Sequence, residues 1–358
     1  MIGGGPAGSV AALALARAGF RCVVLEKKSA PAWKIGETLA PESRRMLQSL
    51  HVWEAFLAAG HLPSPGAVSC WGGDVPVEKD FIFNPHGCAW QLDRARFEAL
   101  LAAEAQTAGA ECRRGHSVSA VERQGALWRV QAGAQSLEAR WLIDASGRAS
   151  VVARHLGHRR VALDRLVSIY VVAATAEGDG ADSRTFVEAR PDGWWYAALT
   201  PGSRRTLAWQ TDADLVAGEA WREPAWFQRR LQGTCCIGKM LGLHGGSPAF
   251  HSPRLTSAHS SRTMRCGGDF WMAVGDAAQS LDPLSGQGIF HALLSGHRAA
   301  EQIAAHCTDG DTATYVEWLD HAWSRFLDER KAFYEAERRW PTQAFWQRRS
   351  PASKSNAR

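Results

Sequence analysis

A glycine fingerprint at the start of the chain constrains its fold more than any other feature. Gly3, Gly5 and Gly8 in "MIGGGPAGSV" fit the spacing G-x-G-x-x-G, with Pro6 and Ala7 between the last two glycines. In a strand–turn–helix unit, such glycines allow a tight turn and bring backbone N–H groups to a diphosphate at the helix N-terminus. The spacing alone is weak evidence, so the flanking residues decide what it means.

The residues after the fingerprint fit that unit. "SVAALALARAGF" is small and apolar, which is typical of a helix packed closely on a sheet, and Gly19 stands where such helices end. "RCVVLEK" predicts a short buried strand that terminates in Glu26. A carboxylate at this separation from the glycines accepts hydrogen bonds from the hydroxyls of an adenosine ribose. The sequence therefore predicts a dinucleotide-binding unit.

The strand that should precede the fingerprint is short. Only Met1 and Ile2 precede the glycines, whereas a typical strand has about five or six residues. In a doubly wound sheet the first strand is central and buried on both faces. We therefore expect a truncated first strand, with further apolar residues upstream in the full gene product.

A second set of motifs lies near the other end of the chain. The run 270–274 predicts a strand that Gly275 and Asp276 close, followed by a loop that opens a helix and contains Pro283, Gly286 and Gly288. A carboxylate at Asp276 can bind a ribityl hydroxyl. The amides of Gly286 and Gly288 at a helix N-terminus can meet the N1–C2=O edge of a flavin, where reduction places negative charge.

These motifs resemble those of the superfamily of FAD-dependent hydroxylases, geranylgeranyl reductases and tryptophan halogenases. "QLDRARFEALLAAEAQTAGAE" is similar to its R-x-x-[F/L]-[D/E]-x-x-L helix, with Arg94 in the arginine position, and "ARWLIDASGRASVVARHLG" is similar to its D-A-[ST]-G-R-x-S turn. The resemblance covers residues 1–300. It implies FAD as the cofactor and an α/β fold with an α+β second domain: a Rossmann-like FAD-binding domain, an inserted antiparallel-sheet substrate domain and C-terminal helices.

The domain organisation follows from this order of motifs. The discontinuous FAD-binding domain is predicted at 1–60, 92–158 and 262–306, and the substrate domain at 61–91 and 159–261. The runs "VSIYVVAATAEG", "RTFVEARP", "GWWYAALTPG" and "RRTLAWQTDADL" predict antiparallel strands. Residues 307–349 predict one or two long C-terminal helices, and residues 350–358 a disordered tail.

The halogenase branch of this superfamily offers a sharp comparison. Its enzymes carry a lysine downstream of a G-E-A-T turn, a W-x-W-x-I-P motif and a glutamate in D-P-L-E-S-T-G-I. Here the turn is "KIGETLAP", the next lysine is the distant Lys79, the tryptophan motif becomes "WWYAAL", and Ser285 stands at the glutamate position. The loss of three signature features together argues against halogenation.

The remaining segments resemble a narrower branch. "GETLAPESRRMLQSLHVWEAFLAAGHLPSPG", "DGWWYAALTPG" and "YEAERRWPTQAFWQRR" are similar to flavoproteins that mature the quinone cofactors of amine dehydrogenases and amino-acid oxidases. This resemblance implies an FAD-dependent monooxygenase that hydroxylates an aromatic substrate through a flavin C4a-hydroperoxide, with a tryptophan on a partner protein or peptide as the substrate. Two alternatives stay open: a flavin-dependent reductase or hydroxylase of a small free substrate, and a non-catalytic maturation chaperone.

The substrate site is less constrained than the cofactor site. Trp194, Trp195 and Tyr196 are candidate pocket residues, although an aromatic run in a strand also fits a sheet core. His291 follows the flavin loop, and a helix-packing role suits it. Hydroxylation by a reduced flavin requires orientation and exclusion of water. No arrangement of residues identifies a catalytic base.

Composition excludes several other functions. The net charge is only +5, the eight cysteines form no C-x-x-C pair or zinc-ligand spacing, and no apolar run is long enough for a membrane span. We therefore expect a cytoplasmic protein without a metal site, nucleic-acid partner or stable membrane insertion. No second fingerprint provides a nicotinamide domain, so NAD(P)H binds transiently or a flavin reductase supplies the electrons.

Overall fold

The computed structural model of the protein describes residues 1–175, 182–242 and 251–349. The predicted tail 350–358 and the last residues of the predicted strand "VSIYVVAATAEG", 176–178, lie outside these ranges. Within the described residues, no helix is sufficiently long and apolar to cross a membrane.

The helices include two long ones near the C-terminus. In chain order the helices are α1 (Pro6–Arg17), α2 (Ser43–Ser49), α3 (Trp53–Ala58), α4 (Arg94–Thr107), α5 (Val151–His155), α6 (Pro224–Gln232), α7 (Cys236–Met240), α8 (Gly288–Ala305), α9 (Ala313–Ala336) and α10 (Ala344–Gln347).

The strands are mostly short. In chain order they are β1 (Val23–Glu26), β2 (Thr38–Leu39), β3 (Leu62–Ser64), β4 (Gly66–Cys70), β5 (Val77–Asp80), β6 (Ala89–Gln91), β7 (Glu111–Arg114), β8 (Val118–Gln124), β9 (Leu127–Ala132), β10 (Gln135–Ala139), β11 (Leu142–Asp144), β12 (Arg160–Ala162), β13 (Leu166–Ala174), β14 (Thr185–Arg190), β15 (Gly193–Thr200), β16 (Arg204–Asp212), β17 (Arg254–Ser257), β18 (Ser261–Thr263), β19 (Gly267–Gly268), β20 (Trp271–Ala273) and β21 (Gln279–Ser280).

A parallel sheet forms the first layer around the N-terminus. β1 pairs with β7, and β11 pairs with β20, both in parallel. Ile2 bridges the two pairs, since it lies beside Leu25 on one side and Asp144 on the other, again in parallel. Met1 and Ile2 thus occupy the central position of a doubly wound sheet, as the fingerprint predicts.

Helices α1 and α8 cross at very close range on this sheet. A Cβ on Gly296 of α8 would lie 2.3 Å from the carbonyl oxygen of Ala7 in α1, and a Cβ on Gly275 would lie 3.0 Å from the Ala7 Cβ. The backbones approach so closely because Gly296 has no side chain. The contact joins the two ends of the sequence that carry the cofactor motifs.

The second layer is a seven-stranded sheet in the order β17-β13-β16-β15-β14-β4-β5. Most of its strands pair antiparallel; β14 and β4 pair in parallel. One face carries an apolar cluster with Ile169, Trp195 and Trp209, which α6 covers with Phe227 and Leu231. The antiparallel sheet predicted for the second domain is therefore present.

The C-terminal helices close the structure. The predicted one or two long helices are one long helix, α9 with 24 residues, and the short α10. Tyr315 near the start of α9 donates a hydrogen bond to the carbonyl of Ala273 in β20 at 2.7 Å. Tyr334 near its end lies in a second cluster, with Trp194 of the large sheet and Phe345. α9 thus spans both layers.

The fold class predicted from the sequence is confirmed, and one strand boundary is corrected. The predicted strand 270–274 is shorter, because Phe270 adopts φ +64° in a turn and only Trp271–Ala273 pair as β20. The predicted helices after the fingerprint, at Arg94 and at Gly288 are all present.

The α1–α8 contact yields a stability prediction. Gly296→Ala should lower the free energy of unfolding by about 1–3 kcal/mol, because the new methyl group must displace backbone. Gly288→Ala at the start of the same helix is the control, since a Cβ there has no neighbour within 4 Å. Urea unfolding of the cofactor-free proteins measures both, and equal stability of the two variants would contradict the account of this contact.

Candidate functional site

The fingerprint turn is shaped by two glycines that cannot carry a side chain. Gly3 has φ +106°, and a Cβ there would lie 2.2 Å from the carbonyl oxygen of Ala145. A Cβ on Gly8 would lie 2.1 Å from the Gly3 carbonyl oxygen. Gly5 is different: its φ is −76° and a Cβ would meet nothing within 4 Å. Open space therefore faces Gly5 at the N-terminus of α1.

Glu26 lies at the end of β1 beside this turn. One carboxylate oxygen accepts the Gly4 N–H at 2.8 Å and the other accepts the Lys28 N–H at 2.9 Å. The fingerprint turn and the predicted ribose-binding carboxylate are thus adjacent, as the motif requires.

The second motif joins the same region through α8. Gly275 and Asp276 form a short 3-10 turn directly after β20, and the Gly275 N–H donates to Ser295 Oγ of α8 at 2.8 Å. Pro283 begins another 3-10 turn, which ends at Gly286 with φ +62°. Gly288 is the first residue of α8.

The two helix starts fit a bound FAD. Within the described residues, no side chain caps the N-terminus of α1 or of α8, whereas Asp93 caps α4 by accepting the Arg96 N–H. A helix N-terminus has N–H groups without intrahelical partners and a partial positive charge. The open space beside Gly5, Gly286 and Gly288 suits a group that brings its own acceptors, such as a pyrophosphate and a flavin carbonyl.

Two arginines that the sequence motifs did not single out support the Asp276 turn. Arg148 approaches Asp276, with Nε and Oδ2 3.7 Å apart. Arg160 donates to Ser280 Oγ at 2.6 Å and to the carbonyl of Ala277 at 3.2 Å. Arg148 is the arginine of the D-A-S-G-R turn, so a local sequence pattern marks its position. Arg160 carries no local signal, because its partners are distant in sequence.

Arg94 has different neighbours from the other predicted cofactor residues. It donates to the carbonyl of Gly36 at 2.6 Å and pairs with Glu98 at 2.8 Å, which also pairs with Lys34 at 2.7 Å. Arg94 therefore holds the "KIGE" turn against α4. Its contact with FAD stays a prediction.

The turn that Arg94 holds ends in a buried carboxylate, that of Glu37, close to the large sheet. Glu37 is 2% exposed, and its carboxylate accepts the Gly36 N–H at 2.7 Å. Burial raises the pKa of Glu37, which favours a bound proton. The next residue, Thr38, shares a hydrogen bond of 2.8 Å with the hydroxyl of Tyr196 from the large sheet. β2 also lies beside α8, so this group adjoins the predicted flavin helix.

The three predicted pocket residues do not share one face of the sheet. Tyr196 points towards Thr38, and Trp194 lies on the same side with Tyr334. Trp195 lies on the opposite face, where its ring stacks on Trp209. The expectation that all three residues line one pocket is therefore corrected, because consecutive residues of a strand point to opposite faces. Trp195 is a core residue, and Trp194 is 1% exposed.

His291 packs in the helix layer, as the sequence suggests. Its ring stacks on Trp318 of α9 with a centroid distance of 5.8 Å. Burial lowers the pKa of His291 to about 4, so the imidazole is neutral near pH 7.

The comparisons with known proteins agree with this geometry. A family model described as FAD binding domain matches residues 1–317. LodB of Marinomonas mediterranea, named an FAD-dependent oxidoreductase, is 29% identical over 359 residues, which cover 98% of this chain and 95% of that protein.

Solved structures are similar as well. The flavin-dependent halogenase CmlS superposes with a TM-score of 0.85 at 26% identity, covering 98% of this chain and 66% of that chain. QhpG, a peptidyl tryptophan dihydroxylase essential for tryptophylquinone cofactor biogenesis, superposes with a TM-score of 0.76 at 25% identity, covering 97% of this chain and 77% of that chain.

Substitutions of Gly5 and Gly3 should have different effects, one on FAD binding and the other on stability. Gly5→Ala should leave the melting temperature of the cofactor-free protein unchanged but raise the FAD dissociation constant about tenfold or more, because the methyl group occupies the space beside the helix start. Gly3→Ala should lower the melting temperature, since its Cβ meets the Ala145 carbonyl. Flavin fluorescence titration and thermal melting measure the two effects, and unchanged FAD affinity in Gly5→Ala would refute the assignment.

The lowered pKa of His291 predicts that the protein becomes less stable as the pH falls. Its folded pKa of about 4 lies below the ordinary value of about 6.5, so the unfolded chain binds the proton first. Its contribution is complete above about pH 6.5 and is lost as the pH falls towards 4, by about 2 kcal/mol at pH 5. His291→Phe keeps a ring against Trp318 and should reduce this loss in urea unfolding at pH 7.5 and 5.

The matched control is His297→Gln on the same helix, where the imidazole lies 3.6 Å from Glu301 and the side chain is 25% exposed. This variant should retain the acid sensitivity. If His291→Phe loses as much stability between the two pH values as the wild type, His291 is not the group responsible.

Proposed function

The chain belongs to the FAD-dependent monooxygenase and halogenase-like superfamily of FAD-binding proteins, and from this we propose that it hydroxylates a tryptophan side chain on a partner polypeptide. FAD-dependent oxidoreductase chemistry is the family's common property. The substrate and the absence of halogenation are the parts that the proposal adds.

The chemistry requires FAD, two electrons and O₂. Reduced FAD supplies the electrons that split O₂, so that one oxygen atom enters the aromatic ring and the other leaves as water. The electrons come from NAD(P)H or from a separate flavin reductase. The protein binds and orients the ring and excludes water from it.

The position of the lysines carries the argument against halogenation. Lys34 is paired with Glu98 at 2.7 Å. The next lysine along the chain, Lys79, lies on β5, the edge strand of the large sheet, where all four residues are exposed. No lysine lies on β3 or β4, which follow the "GETLAP" turn. A lysine that relays hypohalous acid in the halogenase branch therefore has no counterpart among these elements.

Half-buried aromatic side chains suit a flat, electron-rich substrate. Trp33 and Tyr170 have ring centroids 5.7 Å apart, and Tyr170 belongs to the same sheet face as Tyr196. Both tyrosines and Trp33 are partly exposed. We assign this aromatic wall to the indole, because offset aromatic rings favour such packing.

Glu37 and Tyr196 supply polar groups at this wall. Burial raises the pKa of the Tyr196 hydroxyl, and the neighbouring Glu37 raises it further. Burial raises the pKa of the Glu37 carboxyl as well. In the proposed site both groups are available for hydrogen bonds with the substrate.

A partner polypeptide is favoured over a free amino acid by one similarity. QhpG, whose name describes action on peptidyl tryptophan, matches 97% of this chain in structure. That activity is known from QhpG, and we extend it to this chain as a proposal.

Mass spectrometry of a client protein tests the proposed function. The chain is co-expressed with a cofactor-bearing oxidase or dehydrogenase encoded by a neighbouring gene, and the client is analysed for one or two added oxygen atoms on a tryptophan. The control client carries Trp→Phe at that position. We expect oxygen on the wild-type client only.

Parallel reactions distinguish the other activities. The purified chain receives FAD, NADH, a flavin reductase, chloride or bromide, and free tryptophan or phenol. Halogen incorporation, rapid oxidation of these free substrates without client modification, or a client matured without any added oxygen would each overturn the proposal.

A further inference from the structure

The loop that precedes α8 is organised around one buried carboxylate, Asp282. Its Oδ1 accepts the Leu284 N–H at 3.0 Å, and its carbonyl accepts both the N–H of Ser285 at 3.0 Å and the Ser285 hydroxyl at 2.8 Å. Gly286 follows in the left-handed region, and its N–H donates to the Pro283 carbonyl at 3.1 Å. The course of the backbone from 282 to 288 therefore depends on where this side chain is held.

The other oxygen of Asp282 is held by α9. Oδ2 accepts the Arg330 Nε–H at 3.0 Å and the Tyr334 hydroxyl at 3.0 Å. Arg330 also pairs with Asp164 at 2.9 Å. Asp282 is 1% exposed, so these partners replace water as its hydrogen-bond donors. Removing a donor from a buried carboxylate is costly.

Tyr334 connects this loop to the large sheet. Its hydroxyl accepts the Trp194 Nε1–H at 3.2 Å while it donates to Asp282. Tyr334 is 2% exposed and Trp194 is 1% exposed. A chain of two hydrogen bonds thus runs from β15 through α9 to the loop before α8.

We propose that Tyr334 and Arg330 are positioning residues that hold the 282–288 loop in place for the reduced flavin. The inference rests on the predicted assignment of Gly286 and Gly288 to the flavin, on which the proposed function also depends. Amide donors at a helix N-terminus stabilise negative charge that develops on the flavin upon reduction. A displaced loop therefore weakens binding of the reduced form more than binding of the oxidised form.

The test compares two tyrosines of the same helix. Tyr334→Phe keeps the ring and removes the hydroxyl. We expect an FAD dissociation constant about three- to tenfold higher and a more negative flavin reduction potential. Tyr315→Phe is the matched control, because it removes a buried hydroxyl whose partner, the Ala273 carbonyl, lies in β20 outside this loop. It should lower the melting temperature without moving the potential.

A second variant tests the route through Asp282. Arg330→Lys keeps the positive charge but removes the guanidinium Nε–H that Asp282 Oδ2 accepts, and it should shift the potential in the same direction. In the double variant with Tyr334→Phe the two shifts should be less than additive, since both act on one contact. Additive shifts, or a Tyr334→Phe potential equal to that of the wild type, would overturn the inference.

Potential and FAD affinity are measured without any client protein, so these results are independent of the proposed substrate. A chain that fails to hydroxylate tryptophan but shows the potential shift loses the proposed function and keeps this inference. If the chain hydroxylates tryptophan but the variants show no potential shift, the proposed function stands and this inference is wrong.

Discussion

The close approach of α1 and α8 is the constraint on which the rest of the structure depends. It brings the N-terminal fingerprint and the Gly275–Asp276 turn to one end of the parallel sheet, although nearly the whole chain separates them. Gly296 makes this possible because it places no side chain against the backbone of Ala7. Both uncapped helix starts then belong to one region, where a single extended dinucleotide can reach them.

The two faces of the large sheet have different surroundings. The face under α6 is an apolar core with Trp195 and Trp209, which fixes the strands by burial. The opposite face carries Tyr170, Tyr196 and polar groups that meet the "KIGE" turn. Alternation along the strands places a core residue and a residue of the proposed substrate wall one position apart, so we expect neighbouring substitutions in β15 to affect different properties.

Local patterns predicted much of this arrangement. The glycine turn, Glu26 and the helix that begins at Gly288 could be predicted, because the motifs of strand–turn–helix units lie within a few residues of one another. The aromatic run 194–196 was ambiguous, because its composition does not show which side chain faces which layer. Arg160, Arg330 and Tyr334 could not be found in this way, since each acts on residues that only the tertiary fold brings near.

The chain order of the Asp282 contacts has a consequence for biosynthesis. The fingerprint is synthesised well before the loop that precedes α8, yet the donors to Asp282 Oδ2 stand later still, at residues 330 and 334. Domains fold progressively as the chain leaves the ribosome. The loop can acquire these restraints only after α9 has emerged, so the nascent chain passes through a stage in which both layers are present but this end of α8 is not yet fixed.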